Sequence, residues 1–247
     1  MDLHDKVVIV TGGASGIGGA VSRVLIRRGA KVVAVDIDEA AGAVLEREVG
    51  DAVTFLAGDV SEDAVARRAV ETAVATYGSL TSLVNNAHAS RQGRFVDLTE
   101  QDWALSFDTG FTATRQFMRA AYPELRKQGG SVVNFGSGAG LEGQPTQAAY
   151  AAAKEAIRGL SRVAATEWAP EQIRVNVVCP IALTPGVIGW REAYPQMFAD
   201  VVAKIPLGRF GDPEGDVAPI VAFLVSDDSV YMTGQTLMAD GGTTKLR

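Results

Sequence analysis

The chain has 247 residues, 47% of them apolar and 21% charged, with a formal net charge of −6. That balance excludes a disordered chain, and at roughly 100–200 residues per domain the length allows one large domain or two small ones. The acidic excess argues against nucleic acid or an anionic membrane as partner, because both attract a basic face. A single cysteine, Cys179, leaves no intrachain disulfide, which suits a reducing compartment. The polar start Met1-Asp2-Leu3-His4-Asp5-Lys6 precedes an apolar run too short for a leader or a span, so a cytoplasmic protein is expected.

Residues 7–10 are the first β-branched run, and a helix is predicted over 20–28, with Val21, Val24 and Leu25 on one side and Arg23, Arg27 and Arg28 on another. Further strands at 31–35, 52–56, 82–85, 131–135 and 173–178 alternate with helices at 39–48, 62–77, 101–127, 148–168 and 213–225. Gly29, Gly50, Gly78 and Gly129-Gly130 stand at helix ends, and Ser61 and Thr99 at helix starts. Continuous apolar runs suit strands buried on both faces. The alternation predicts one α/β domain over 1–247, a doubly wound parallel sheet with helices on both faces. Residues 181–197, rich in Gly, Pro and aromatics, read as an irregular insertion, part of a substrate lid around 181–205.

Between the first strand and its helix lies Thr11-Gly12-Gly13-Ala14-Ser15-Gly16-Ile17-Gly18. Gly12 and Gly16 can take positive φ or let backbone approach a pyrophosphate, and Gly18 permits close helix–strand packing. The helix N-terminus then offers free N–H groups to phosphates. The glycines alone describe a tight structural turn equally well. The second strand ends at Asp36, about 20 residues beyond Gly18, where a carboxylate can accept hydrogen bonds from a ribose. A solvated strand-end Asp is the alternative. The carboxylate would repel a 2′-phosphate, and no Arg or Lys occupies positions 13–15 or 37–38, so NAD is expected over NADP.

Further motifs follow in order: Asp59-Val60, Asn85-Asn86-Ala87, Ser137, Tyr150-x-x-x-Lys154, Asn176 with Pro180, and Asp240-Gly241-Gly242. From Lys6 to about Gly242 this series resembles the short-chain dehydrogenase/reductase family. The resemblance implies a Rossmann-like sheet of about seven strands, a small-molecule substrate, and a homotetramer, or else a dimer, built on the 101–127 and 148–168 helices. It implies Ser137, Tyr150 and Lys154 as catalytic residues. Tyr150 and Lys154 lie one helical turn apart, on one face. A free phenol has pKa near 10, and a nearby ammonium stabilises the phenolate, so Tyr150 could exchange a proton with a substrate oxygen that Ser137 holds. Cofactor contacts are implied for Gly12, Ser15, Gly16, Ile17, Gly18, Asp36, Ile37, Asp59, Val60, Asn86, Tyr150, Lys154, Pro180 and Thr184. The substrate pocket is expected to include His88, Gly138, Leu141, Gln144, Ile181, Trp190 and Tyr194. Its apolar lining suits a cyclic or aryl secondary alcohol or its ketone. His4, His88 and Cys179 provide no metal-ligand spacing, so no metal is expected.

The chain departs from the family pattern at three places. His88 stands where Gly is usual, Gly110 where a helix Asn is usual, and Pro180 is followed by Ile181 with Thr184 only four residues on. The imidazole of His88 is expected to fill the space vacated at Gly110; a polar pocket wall, a titrating group and a packing histidine are the other readings. The expected function is an NAD(H)-dependent oxidoreductase acting on a secondary alcohol and ketone. Reduction of an imine or another C=X bond, or NAD(H) binding with little turnover, stays open.

Overall fold

The computed structural model describes residues 1–245. In chain order they form β1 (Val7–Thr11), α1 (Gly16–Arg27), β2 (Lys31–Asp36), α2 (Glu39–Val49), β3 (Val53–Ala57), α3 (Asp63–Tyr77) and β4 (Ser82–Asn85). Then come α4 (Glu100–Ser106), α5 (Ala113–Leu125), β5 (Gly130–Phe135), α6 (Gly138–Glu142), α7 (Ala148–Glu167) and β6 (Ile173–Pro180). Finally α8 (Pro185–Ala193), α9 (Pro195–Val202) and α10 (Ala218–Val225) precede β7 (Thr236–Ala239). The seven strands pair in parallel in the order β3-β2-β1-β4-β5-β6-β7.

Strand alternation divides the apolar runs between two layers. Val8, Val10, Val32 and Ala34 face Val21 and Leu25 of α1 and Val221 and Leu224 of α10. Val7, Ile9, Val33 and Val35 face Ala66 and Ala69 of α3 and Phe117 and Ala121 of α5. Burial of each large apolar side chain contributes about 1.5–3 kcal/mol, so these two faces hold the sheet between its helices. β1 has β2 on one side and β4 on the other, with Val8 opposite both Val32 and Ser82. The strand order therefore reverses between β1 and β4, the point at which a doubly wound sheet forms a crevice above its carboxyl ends.

Four local expectations are corrected. The helix expected over 101–127 is interrupted by a π-turn, Phe107–Thr112, between α4 and α5. Gly110 weakens the helix there, and the Thr109 hydroxyl bonds back to the Leu105 carbonyl at 2.7 Å. The segment 181–197 is not irregular: α8 and α9 each open on a proline, whose fixed φ suits the first helical turn. The N-cap of α3 is Glu62, not Ser61, whose N–H instead donates to Asp59. The 213–225 helix begins as a π-turn, Pro213–Val217. No helix among the described residues is long and apolar enough to cross a membrane.

Candidate active site

The turn after β1 carries Gly12 at φ 61° and Gly16 at φ 53°, both in left-handed space. Side-chain atoms at Gly18 would run into the Gly12 carbonyl. The N-cap of α1, Ser15, makes no side-chain bond, and no acidic residue stands in the first turn, where Ile17 lies. By contrast Asp38, Thr99, Ser137 and Thr184 cap α2, α4, α6 and α8. Among the described residues the leading N–H groups of α1 thus have no side-chain acceptor, and they are available to an anion. Asp36 is 8% exposed and accepts the Ala14 N–H at 3.1 Å and the Asp38 N–H at 3.2 Å. Ile37 beside it is exposed.

Asn86, the residue after β4, buttresses this turn. Its Nδ2 donates to the Thr11 carbonyl at 3.0 Å and the Gly12 carbonyl at 3.3 Å. Thr11 Oγ1 accepts the N–H groups of Asn86 and Ala87 at 3.0 and 3.1 Å. Asp59 accepts the Ser61 N–H at 2.9 Å, and Val60 is buried. Free donors at a helix start, with a carboxylate beside them, fit the phosphates and ribose of a dinucleotide.

The catalytic candidates meet beside this crevice. Lys154 is 4% exposed, and its Nζ donates to the Phe135 carbonyl at 2.8 Å and lies 5.6 Å from the centre of the Tyr150 ring. Burial lowers its pKa to about 8. Burial raises the Tyr150 phenol above its ordinary value, and the neighbouring Ser137 hydroxyl opposes part of that rise. Ser137, two residues beyond β5, accepts the Ala139 N–H at 3.1 Å. The His88 ring lies 4.9 Å from that of Tyr150 at 49°, and its Nε2 is 3.0 Å from Ser106 Oγ. Burial, and secondarily the Lys154 charge, lower its pKa to about 2, so it is neutral near pH 7.

Other pocket candidates are more dispersed. Pro180 ends β6, and Ile181 exchanges two backbone bonds with neighbours at Ala239 and Gly211. Thr184 accepts the Val187 N–H at 3.3 Å. Leu141 is half-buried and Gln144 exposed, while Gly138 faces Thr244 and Met238. Trp190 meets Phe198 edge-on, and Phe198 stacks on Phe210. Tyr194 is 56% exposed. A cavity of about 580 Å³, lined by Lys6, Gln128, Arg174 and Tyr231 among others, lies at the opposite edge of the strands from Tyr150. Among the described residues no group of three His, Cys, Asp or Glu could hold a metal.

Sequence reasoning passed over Ser106 and Thr109. The i,i+4 spacing of Ser106 and Gly110 puts both on one helix face and was the available signal. It also passed over the buried chain in which Asn85 Nδ2 donates to Asn134 Oδ1 and Asn134 Nδ2 to Ser161 Oγ, both at 2.8 Å.

The family model described as "Enoyl-(Acyl carrier protein) reductase" matches residues 12–244. A 12alpha-hydroxysteroid dehydrogenase of Clostridium sp. is 43% identical, over 96% of this chain and 96% of its own length. A 2-(S)-hydroxypropyl-CoM dehydrogenase 3 of Xanthobacter autotrophicus is 38% identical over 99% and 98%. A trans-4-hydroxycyclohexanecarboxylate dehydrogenase of Sinomonas cyclohexanicum is 35% identical over 97% and 93%. Similarity of this extent, on a parallel sheet with Tyr150, Lys154 and Ser137 gathered at its carboxyl edge, means that the chain belongs to the short-chain dehydrogenase/reductase family of oxidoreductases.

Proposed function

We propose that the protein is an NAD(H)-dependent dehydrogenase that interconverts a secondary alcohol and its ketone, with an apolar cyclic or aryl substrate. The observation that carries this reading is the meeting of Tyr150, Lys154 and Ser137 beside an uncapped glycine turn. Relatives whose names specify a hydroxysteroid and a hydroxycyclohexanecarboxylate support a cyclic secondary alcohol.

NAD supplies a hydride acceptor, and NADH a hydride donor, for the carbinol carbon. The N–H groups at Ser15, Gly16 and Ile17 would hold its phosphates, and Asp36 its adenosine ribose. Asp59, Val60 and Asn86 would lie along the adenosine side, and Pro180 and Thr184 by the carboxamide. Asp36 and the lack of Lys or Arg at 13–15 and 37–38 support NAD over NADP. Tyr150 Oη takes the hydroxyl proton as the alcohol is oxidised and returns it as the ketone is reduced. Burial alone would keep the phenol protonated, so the nearby Lys154 ammonium has to stabilise the phenolate. With a pKa of about 8, Lys154 is still charged at pH 7. Ser137 Oγ orients the substrate oxygen toward Tyr150. The paired aromatics Trp190 and Phe198, on α8 and α9, would close over the substrate and limit its contact with water.

The reading extends to a homotetramer. Phe95, Leu105 and Val163 are apolar and exposed on or beside α4 and α7, which supports pairing of those helices with their copies.

The test is reduction of NAD by a panel of cyclic and aryl secondary alcohols, repeated with Tyr150→Phe. Turnover is expected to fall at least a hundredfold in the variant. NADH is expected to bind more tightly than NADPH, and Asp36→Ser to narrow that preference by about tenfold or more. Binding without turnover of any alcohol would count against the dehydrogenase reading.

A further inference from the structure

The segment after β4 brings a histidine to the inner side of Tyr150 through an arrangement that depends on three residues of the α4–α5 region. Side-chain atoms at Gly110 would come 2.7 Å from His88 Cε1 and 2.9 Å from its Nδ1, so the imidazole occupies a hollow that only glycine leaves open. Ser106, fully buried one helical turn earlier, bonds Nε2 and sets the angle of the ring. Thr109 fastens the adjoining backbone: its Oγ1 accepts the Ala89 N–H at 2.9 Å and lies 3.1 Å from the Ala89 carbonyl. All three residues lie in or next to the π-turn that interrupts the helix, a distortion often found at functional sites. The other ring nitrogen, Nδ1, is buried without a partner among the described residues. An apolar ring would fill the hollow without leaving a buried nitrogen unpaired, so packing alone does not account for a histidine. The Nε2 bond, which fixes the plane of the ring, does.

We propose that His88 is a positioning residue for Tyr150: seated in the hollow at Gly110 and turned by Ser106, its ring holds the phenol in line with Lys154 and keeps water from its inner face. This rests on the reading of Tyr150 as the acid–base group. The groups facing Tyr150 are Lys154 from its own helix, His88 from the segment after β4, Ser137 from just beyond β5 and Cys179 from β6. A neutral His88 adds no charge to this set, so its effect is exerted through geometry and the exclusion of water.

Four variants test this: His88→Gly, Gly110→Asn, the two combined, and Ser106→Ala. The first readout is ultraviolet titration of the Tyr150 phenolate in the protein without cofactor, isolated by subtracting the Tyr150→Phe titration. The second is kcat and KM for an alcohol that the wild type oxidises. In His88→Gly, water reaches the phenol, so its titration midpoint is expected to fall toward the ordinary value. kcat is expected to fall about tenfold as the phenol loses its alignment, with NADH affinity unchanged within twofold. Gly110→Asn, which drives the imidazole out of place, is expected to lower kcat as well. The combined variant refills the hollow from the helix side and is expected to recover most of the loss. An unmoved midpoint with kcat within twofold in His88→Gly overturns the proposal, as does a combined variant no better than the worse single one. If His88→Gly does not fold, Ser106→Ala decides, since it removes only the orienting bond: a lowered midpoint and kcat support the proposal, and no change in either overturns it. Turnover that survives Tyr150→Phe removes the underlying acid–base reading instead. Turnover lost there but kept in His88→Gly removes only the positioning role.

Discussion

Burying a neutral imidazole at position 88 has a thermodynamic consequence separate from catalysis. Its pKa is about 2 in the folded chain against an ordinary 6.5. As the pH falls below 6.5 the unfolded chain takes up this proton, while the folded chain does not until near pH 2. The unfolded state then binds more protons, so stability is lost as the pH falls. At pH 5 the loss from this one group is about 2 kcal/mol. His88→Asn should therefore lose less stability than the wild type between pH 7.5 and pH 5, by about that amount, as read by urea unfolding. Equal losses in the two proteins would mean that the ring is not held neutral. Lys154 acts in another range. Its folded pKa of about 8 lies below the ordinary 10.5, so the unfolded state binds more protons between those values and stability rises as the pH climbs from 8 to 10.5.

At the scale of elements, α4 has the most completely capped start. The Thr99 hydroxyl accepts the Asp102 N–H at 3.2 Å, and Asp102 Oδ2 accepts the Thr99 N–H at 3.0 Å. Thr99→Ala should cost about 1 kcal/mol in urea unfolding. Because α4 ends at Ser106, the same variant should also loosen His88, seen as a fall in kcat larger than any fall in NADH affinity. Thr99 was legible as a helix start because a cap is a local device, and the strands from β1 to β6 were legible as short runs of buried apolar residues. What sequence could not give at this scale was set by distant partners. The break at Phe107–Thr112 accompanies a contact between Gly110 and His88, which belong to different elements. β7 was hidden because it has only four half-buried residues and pairs with β6 alone. α8 and α9 were masked by a composition that resembles a loop, although Pro185 and Pro195 mark their starts. The glycine turn and the Tyr150–Lys154 spacing could be read from sequence. The partner that orients His88 could not, because Ser106 looks like any polar residue on a helix.

For the whole molecule, one sheet is shared by two apolar layers, so neither layer can open without exposing the strands that the other covers. Unfolding should therefore be a single transition, coincident by tryptophan fluorescence and by circular dichroism. Two phenylalanines separate folding from assembly. Phe117 is 1% exposed in the layer between the sheet and α5, and Phe117→Ala should cost about 3–5 kcal/mol through lost burial and the cavity left behind. Phe95 is 68% exposed and meets Trp103 edge-on at 6.3 Å. On an isolated subunit Phe95→Ala should change stability by no more than about 0.5 kcal/mol. In the proposed homotetramer the same side chain would be buried by a neighbouring copy. Light scattering should then show Phe95→Ala dissociating at concentrations where the wild type stays assembled, with a midpoint of unfolding that depends on protein concentration. Phe117→Ala should lower the midpoint at every concentration without that dependence changing. If Phe95→Ala alters neither the assembly state nor the midpoint, the face around α4 is not where copies of the chain meet.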